Sequence, residues 1–329
     1  MDNYESVLHQ MREFGIEFRK TGDLPLQVDR GKSKTCGKGG KFWYSLHTFR
    51  PDNGGCFIVG RFGSYKTSES QKVEIDWKPI NDAERARRAA VDAAARAASD
   101  AARQLQADLA AMGAADMWRR ASKTGESPYL MRKGVLPEAC RYLPGGELVV
   151  PLLRYDWPRK YALCGVQRIM ADGSKLFTKG FAKGGCAVRL GDLPAGGQVV
   201  LICEGYATGL TLRMATQQAL AVYVALDAGN LQYVVPLVRA LHPAARLLIC
   251  ADDDYRTRDH AGVLNNPGVT AARKAARSVT GCDFLYPVFP LEGRGPKDTD
   301  FNDLHRLAGL PAVTHQLGRV LAAIRTQHG

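Results

Sequence analysis

From residue 197 onward the chain alternates short, almost uninterrupted apolar runs with segments of helical length, and that alternation leaves few folds open. The runs fall at 199–203, 220–226, 246–251 and 283–288. The spacing predicts helices over 207–217, 230–242 and 267–279, and another beginning near Phe301. A strand that is apolar at every position is buried on both faces, and strands joined by helices pair in parallel beneath them. The expected fold class is therefore α/β, a parallel sheet with helices on both faces. Asn266-Pro267 supplies an N-cap followed by proline at the first helical position.

Carboxylates follow these runs. Glu204 comes directly after the run 199–203, and Asp252-Asp253-Asp254 after the run 247–251. A third group, Asp298, Asp300 and Asp303, follows a Pro/Gly-rich loop. Open α/β sheets bind ligands beyond the carboxyl ends of their strands. In an extended segment residues two apart project to the same side, so Asp252 and Asp254 can share one cation while Asp253 faces away. Gathered carboxylate oxygens suit Mg²⁺ or Mn²⁺, and such ions commonly act on phosphate. The separations, 48 residues from Glu204 to Asp252 and 48 from Asp252 to Asp300, leave room for the intervening strands and helices. Each motif has a plainer reading, as a helix N-cap or a turn; their order on one sheet favours a shared site. Asp227, ending the second run, either extends that site or caps the next helix.

The formal net charge of +12 favours an anionic partner, with nucleic acid first among the candidates. The eight cysteines form no C-x-x-C pair, and several lie inside apolar runs, as expected of reduced thiols in a cytoplasmic protein. Cys36, His47 and Cys56 match no common zinc spacing, so no zinc is expected. The start, Met-Asp-Asn-Tyr-Glu, lacks the basic and apolar segments of a secretory leader. No stretch approaches the roughly 20 apolar residues of a membrane span, and no membrane partner is expected.

Composition divides the rest. Residues 1–78 read as a small basic β-rich domain, with Lys32, Lys34, Lys38 and Lys41 beside Phe42-Trp43-Tyr44. Such interleaving suits base stacking and phosphate neutralisation, or simply a core with lysines around it. Residues 79–115 are Ala/Arg-rich and predict a helical linker over 81–112, capped by Asn81 or Asp82 and stopped at Gly113. Residues 116–196 read as a basic α+β subdomain, with a hairpin turn at Ala171-Asp172-Gly173-Ser174. Residues 151–200 carry eight Lys/Arg and three Asp/Glu. Residues 197–310 hold the sheet, and 311–329 a C-terminal helix.

Glu-Gly after the first strand, Asp-x-Asp after the third and the later acidic motif resemble the Toprim domain of primases, topoisomerases and nucleases, over about residues 197–309. The resemblance implies a general acid/base role for Glu204 and Mg²⁺ ligation by Asp252 and Asp254. In the third motif it selects either Asp298 with Asp300, as in replicative primases, or Asp300 with Asp303, as in phage and plasmid primases. Lys175-Leu-Phe-Thr-Lys179 through Lys183-Gly resembles a basic segment of primase cores, which makes Arg168, Lys175 and Lys183 expected nucleotide or template contacts. Glu-Gly-x-Ala-Thr-Gly, Asp227-Ala-Gly-Asn230 and Ala-Asp-Asp-Asp are similar to Toprim primases of plasmids, prophages and integrative elements. The expected function is DNA primase activity, joining NTPs into short RNA on single-stranded DNA, with a helicase or single-strand-binding protein as candidate partners. A Toprim nuclease and a non-catalytic nucleic-acid-binding module are the alternatives. The chain departs from replicative primases in lacking a zinc-ribbon cysteine set, and it has no P-loop motif.

Overall fold

A computed structural model describes residues 1–18, 28, 33–51, 54–75, 82–192, 199–258 and 262–326. Lys32 and Asn81, both singled out above, lie outside them. The chain divides into two compact units, 1–104 and 105–329.

In the first unit, helix α1 (Tyr4–Glu13) accompanies strands β1 (Lys34–Cys36), β2 (Phe42–Phe49), β3 (Phe57–Ser64) and β4 (Ser70–Lys72). The strands form one antiparallel sheet in sequence order. Alternation places Phe42, Tyr44 and Leu46 of β2 on one face. These join Ile58 and Phe62 of β3 and Val7, Leu8 and Met11 of α1 in a single core. The aromatics beside the lysines thus divide: Phe42 and Tyr44 are core, while Trp43 is half-buried on the other face.

Helix α2 runs from Asp82 to Arg120 without a break. It continues through Gly113, the predicted stop. A glycine costs a helix interior only about 1 kcal/mol, and the turns beyond it are held by packing. Ala114 and Ala121, with Met117 and Trp118, bury against Val149 and Val166.

That partner surface belongs to a second antiparallel sheet, β5 (Arg141–Leu143), β6 (Glu147–Leu153), β7 (Leu163–Ile169) and β8 (Lys175–Phe177), preceded by the short helix α3 (Pro128–Lys133). The predicted turn at 171–174 joins β7 to β8, with the Met170 N–H donating to the Ser174 carbonyl and the Ser174 N–H donating to Asp172 Oδ1.

The third sheet is the expected one. Strands β10 (Val199–Cys203), β11 (Val222–Val224), β12 (Arg246–Cys250) and β13 (Cys282–Leu285) are parallel, in the order β13-β12-β10-β11. One strand is not parallel: β9 (Val188–Leu190), from the preceding block, pairs antiparallel with β11 and forms that edge. Both faces are covered. Val199, Leu201 and Cys203 bury against α4 (Tyr206–Ala215), α7 (Phe301–Ala308) and α8 (Leu310–Thr326). Val200 and Ile202 bury against α5 (Ala228–Leu241) and α6 (Pro267–Arg277). Asn266 caps α6 as predicted, its side chain accepting from the Val269 N–H. Among the described residues no helix is long and apolar enough to cross a membrane.

Candidate active site

Parallel strands end along a common edge, and the acids collect there. Glu204 leaves the end of β10, 8% exposed. Its Oε1 is buried without a hydrogen-bond partner, and the nearby Asp252 backbone N–H only partly favours the charged carboxylate. Burial, then the neighbouring Asp254, push its carboxyl up to about 8. Asp252, at the end of β12, has its Oδ1 buried and unpartnered. Its pKa is raised well above the carboxylate range, by burial first and then by Glu204, Asp300 and Asp254. Asp254 stands at the start of α6, where its Oδ2 accepts from the Gly268 N–H at 3.1 Å; burial still raises its pKa. Asp253 points elsewhere, as expected. It accepts from Asn266 at 2.6 Å and pairs at 2.8 Å with Arg294, whose guanidinium stacks on Tyr255 and Phe289.

The third motif reaches this edge through the backbone: the Asp253 N–H donates to the Thr299 carbonyl at 2.7 Å. Asp300 thereby joins the acid group, its pKa raised by desolvation and then by Asp303. Asp300 is also the N-cap of α7, and Asp303 reciprocates in a capping box. Asp303 is 9% exposed and is occupied further by Lys133, at 3.5 Å. Asp298 instead closes a turn, its Oδ2 accepting from the Gly295 N–H at 2.7 Å. The structure thus brings Glu204, Asp252, Asp254 and Asp300 together, adds Asp303 behind Asp300, and leaves Asp298 in the loop. Asp227 caps α5 and pairs with Lys183 at 2.6 Å, close enough to Glu204 to raise its pKa.

The residues at this edge fit a divalent cation by their chemistry: hard oxygens, two of them buried without partners, on carboxyls that resist sharing negative charge. Among the described residues no three His, Cys, Asp or Glu already form a ready-made ligand set. A crevice of this kind suits Mg²⁺, which keeps much of its water and takes one or two carboxylates.

Beside the acids lies a cavity of about 360 Å³ whose lining includes Arg132, Lys133, Lys175, Arg306, Asp300 and the start of α4 at Gly205. Lys175 is accessible on β8, and crowding by protein atoms lowers its pKa, while Asp300, Asp252 and Asp303 favour its charge. Lys133, Arg132 and Arg306 were not foreseen as site residues. Lys133 ends α3 and is fastened from α7: Asn302 donates to the Lys133 carbonyl at 2.8 Å, and His305 Nε2 meets the Gly134 carbonyl at 3.0 Å. The sequence signal was the Asn inside Asp300-Phe-Asn-Asp303, whose side chain ties the acidic motif to a cation 169 positions earlier. Arg168 is elsewhere: it is held by both oxygens of Glu147 and does not line the cavity.

Residues 199–310 match the Toprim domain family. This stretch is a Toprim domain. Its boundaries enclose Glu204, Asp252, Asp254 and all three acids of the third motif. Over 254 residues the chain is 30% identical to DNA primase TraC of Escherichia coli. That alignment covers 73% of this chain and 23% of the relative, so the chain matches under a quarter of that protein's length. Among solved structures, the zinc-binding and RNA polymerase domains of Aquifex aeolicus primase are 14% identical, with a TM-score of 0.41, covering 98% of this chain and 83% of that one. The primase fragment of the bacteriophage T7 primase-helicase protein is 13% identical, with a TM-score of 0.39, covering 58% of this chain and 69% of that one.

Proposed function

We propose that the chain is the catalytic core of a DNA primase, a nucleotidyltransferase that joins NTPs into short RNA on single-stranded DNA with the help of Mg²⁺ or Mn²⁺. The observation that carries this reading is the juxtaposition at the Toprim edge: mutually repelling carboxylates on one side, and on the other a cavity lined by Lys133, Lys175, Arg132 and Arg306. Carboxylates of this kind call for a cation, and a cluster of cations calls for an anion. A metal-bound triphosphate satisfies both. The likeness of residues 199–310 to Toprim domains, and of most of the chain to a protein named a DNA primase, supports the same direction.

In this reading Asp252, Asp254 and Asp300 hold the metal, which when bound neutralises charge on the triphosphate and on the leaving pyrophosphate. Glu204, whose burial makes its ionised carboxylate a stronger base than a free one, would take the proton of a primer 3′-hydroxyl once ionised. Lys175 and Lys133 present point charges to phosphate oxygens from two different elements, and the N–H groups at the start of α4 add fixed partial positive charge. Lys183, paired with Asp227, borders this edge on the side of α5. Arg168, with its fork committed to Glu147, supports the β6–β7 sheet and touches nucleic acid only if that pair opens.

The test is incubation with labelled NTPs, Mg²⁺ or Mn²⁺ and a library of single-stranded templates. Metal-dependent oligoribonucleotides should form and should disappear with Asp252→Ala/Asp254→Ala. Strand cutting without NTP incorporation would make the site a nuclease, and product formation by the double variant would remove the acids from the mechanism.

A further inference from the structure

Helix α2 carries a pattern that neither its composition nor the proposed reaction explains. Between Val91 and Met112 a stripe of Val91, Ala95, Ala98, Ala102, Leu105, Leu109 and Met112 is spaced alternately by four and three, and only alanines are apolar off it. All four of the large apolar residues in that stretch lie on this one stripe. A repeat of 3.5 residues is the signature of a helix–helix seam, with these side chains at the a and d positions. The stripe is open to solvent over most of its length: Leu105 is 61% exposed, Leu109 59% and Met112 69%, Val91, Ala98 and Ala102 are also exposed, and Ala95 is half-buried. The side of the helix buried in the second unit is a different one, formed by Ala110, Ala114 and Ala121. A soluble helix that merely spanned a gap would gain nothing from three neighbouring large apolar groups on a seam facing water.

The order of sizes along the stripe says what covers it. Alanines occupy its first half and leucine and methionine its second. Two copies laid side by side in the same direction would stack alanine on alanine at three successive layers and leave gaps there. Two copies laid antiparallel, alternating a against d, put Ala95 opposite Met112, Ala98 opposite Leu109 and Ala102 opposite Leu105. The two-fold axis then repeats the same three layers. Every small residue meets a large one, the arrangement that fills a seam to native density. The flanking positions agree. In this register Ser99 faces Gln106, Asp92 faces Gly113 and Asp108 faces Ala101, so no like charges meet. The opposed helix dipoles also favour it.

We propose that this stripe is an interface between two copies of the chain, an antiparallel helix pair centred between Ala102 and Leu105. The interface is isologous, as a two-fold dimer requires. Six layers span about 27 Å of helix. On the order of 1,000 Å² of total surface is buried, the lower end of specific interfaces, so association should fall in the micromolar range.

Light scattering or sedimentation of the full chain between about 1 and 100 μM should show the mass rising from monomer to dimer. Leu105→Glu/Leu109→Glu should remain monomeric throughout while melting as the parent does, because both side chains are exposed in the single copy. Orientation is read by oxidative cross-linking of mixed single variants: Ala102→Cys chains should join Leu105→Cys chains, and neither should join its own kind. A parent that is monomeric at 100 μM overturns the proposal. So does a dimer of the Leu105→Glu/Leu109→Glu chain, or cross-linking of Leu105→Cys to itself, the result a parallel pair would give.

Discussion

The parallel sheet of the Toprim domain and the antiparallel sheet of the first unit are built from similar apolar strands, yet only one of them gathers charge. Parallel strands all finish on the same edge, so residues placed just after them meet: Glu204 follows β10, Asp252 follows β12, and Asp227 stands shortly after β11. In the antiparallel sheet consecutive strands finish on opposite edges. Its polar residues therefore lie scattered across a face, with Ser45, His47 and Arg61 on neighbouring strands. Topology, more than composition, concentrates carboxylates until they shift one another's pKa values.

A matched pair of substitutions tests that division most severely. A Cβ at Gly268 would stand 2.3 Å from the Asp252 carbonyl oxygen, and one at Gly60 2.1 Å from that of Ser45. The steric overlap is alike, with backbone strain added at Gly60, whose φ is +142°, and each should destabilise by at least about 1–3 kcal/mol. Gly268→Ala, however, must displace either the 252–254 segment or the start of α6, where Asp254 is held. We expect it to lower nucleotide joining about 100-fold, since small misplacements at a reacting centre are costly. Gly60→Ala should lower it about twofold at most. Steady-state rates of the two variants beside their thermal melts decide this; equal losses of rate would mean that the sheets do not divide the work.

The cavity cations come next. Lys133→Ala and Lys175→Ala should each raise KM for NTP about tenfold, as loss of one charge-assisted contact implies. Arg168→Ala should leave KM nearly unchanged and instead destabilise the β6–β7 sheet. Lys133 and Arg168 also show where sequence reading reached its limit. The four parallel strands and the four clustered acids were legible because period and position mark them. Lys175 was legible through a resemblance. Lys133 was not, because its place depends on Asn302 and His305 gripping the end of α3 from the far side of the chain. Arg168 looked free because nothing in its neighbourhood of sequence reveals Glu147, 21 positions earlier, as its partner. The antiparallel strand β9 escaped for a similar reason: three residues carry too little pattern, and only pairing with β11 defines them.

A gentler probe follows from the acids themselves. Glu204 rises from an ordinary 4.5 to about 8 on folding, and Asp252, Asp254 and Asp300 shift the same way. The folded, metal-free chain therefore holds protons that the unfolded chain has released. Its stability is greatest below about pH 4.5, as far as these groups are concerned, and declines as pH rises toward 8. Each such proton contributes a slope of at most about 1.4 kcal/mol per pH unit. Melts in EDTA should fall across that window, and Mg²⁺ should restore stability most at pH 8. A flat profile in EDTA would mean that the carboxylates are less crowded than their burial indicates.

The smallest expected effect separates the rivals of the third motif. Asp298 holds the Gly295 N–H within its loop and contributes to none of the raised pKa values of the clustered acids, whereas Asp303 caps α7 behind Asp300 and meets Lys133. Asp298→Asn keeps an acceptor for that N–H and should change the rate less than twofold. Asp303→Asn keeps the geometry of the capping box but gives up the charge that steadies Lys133, and it should cost about tenfold, mostly in KM. Both variants should melt within about 1 kcal/mol of the parent. The contrast is informative because both residues are aspartates within one six-residue stretch, and only the helix that starts between them assigns one to the loop and the other to the site. A larger loss from Asp298→Asn than from Asp303→Asn would mean that the loop closes onto the acids during the reaction, and that the third motif works through its first carboxylate.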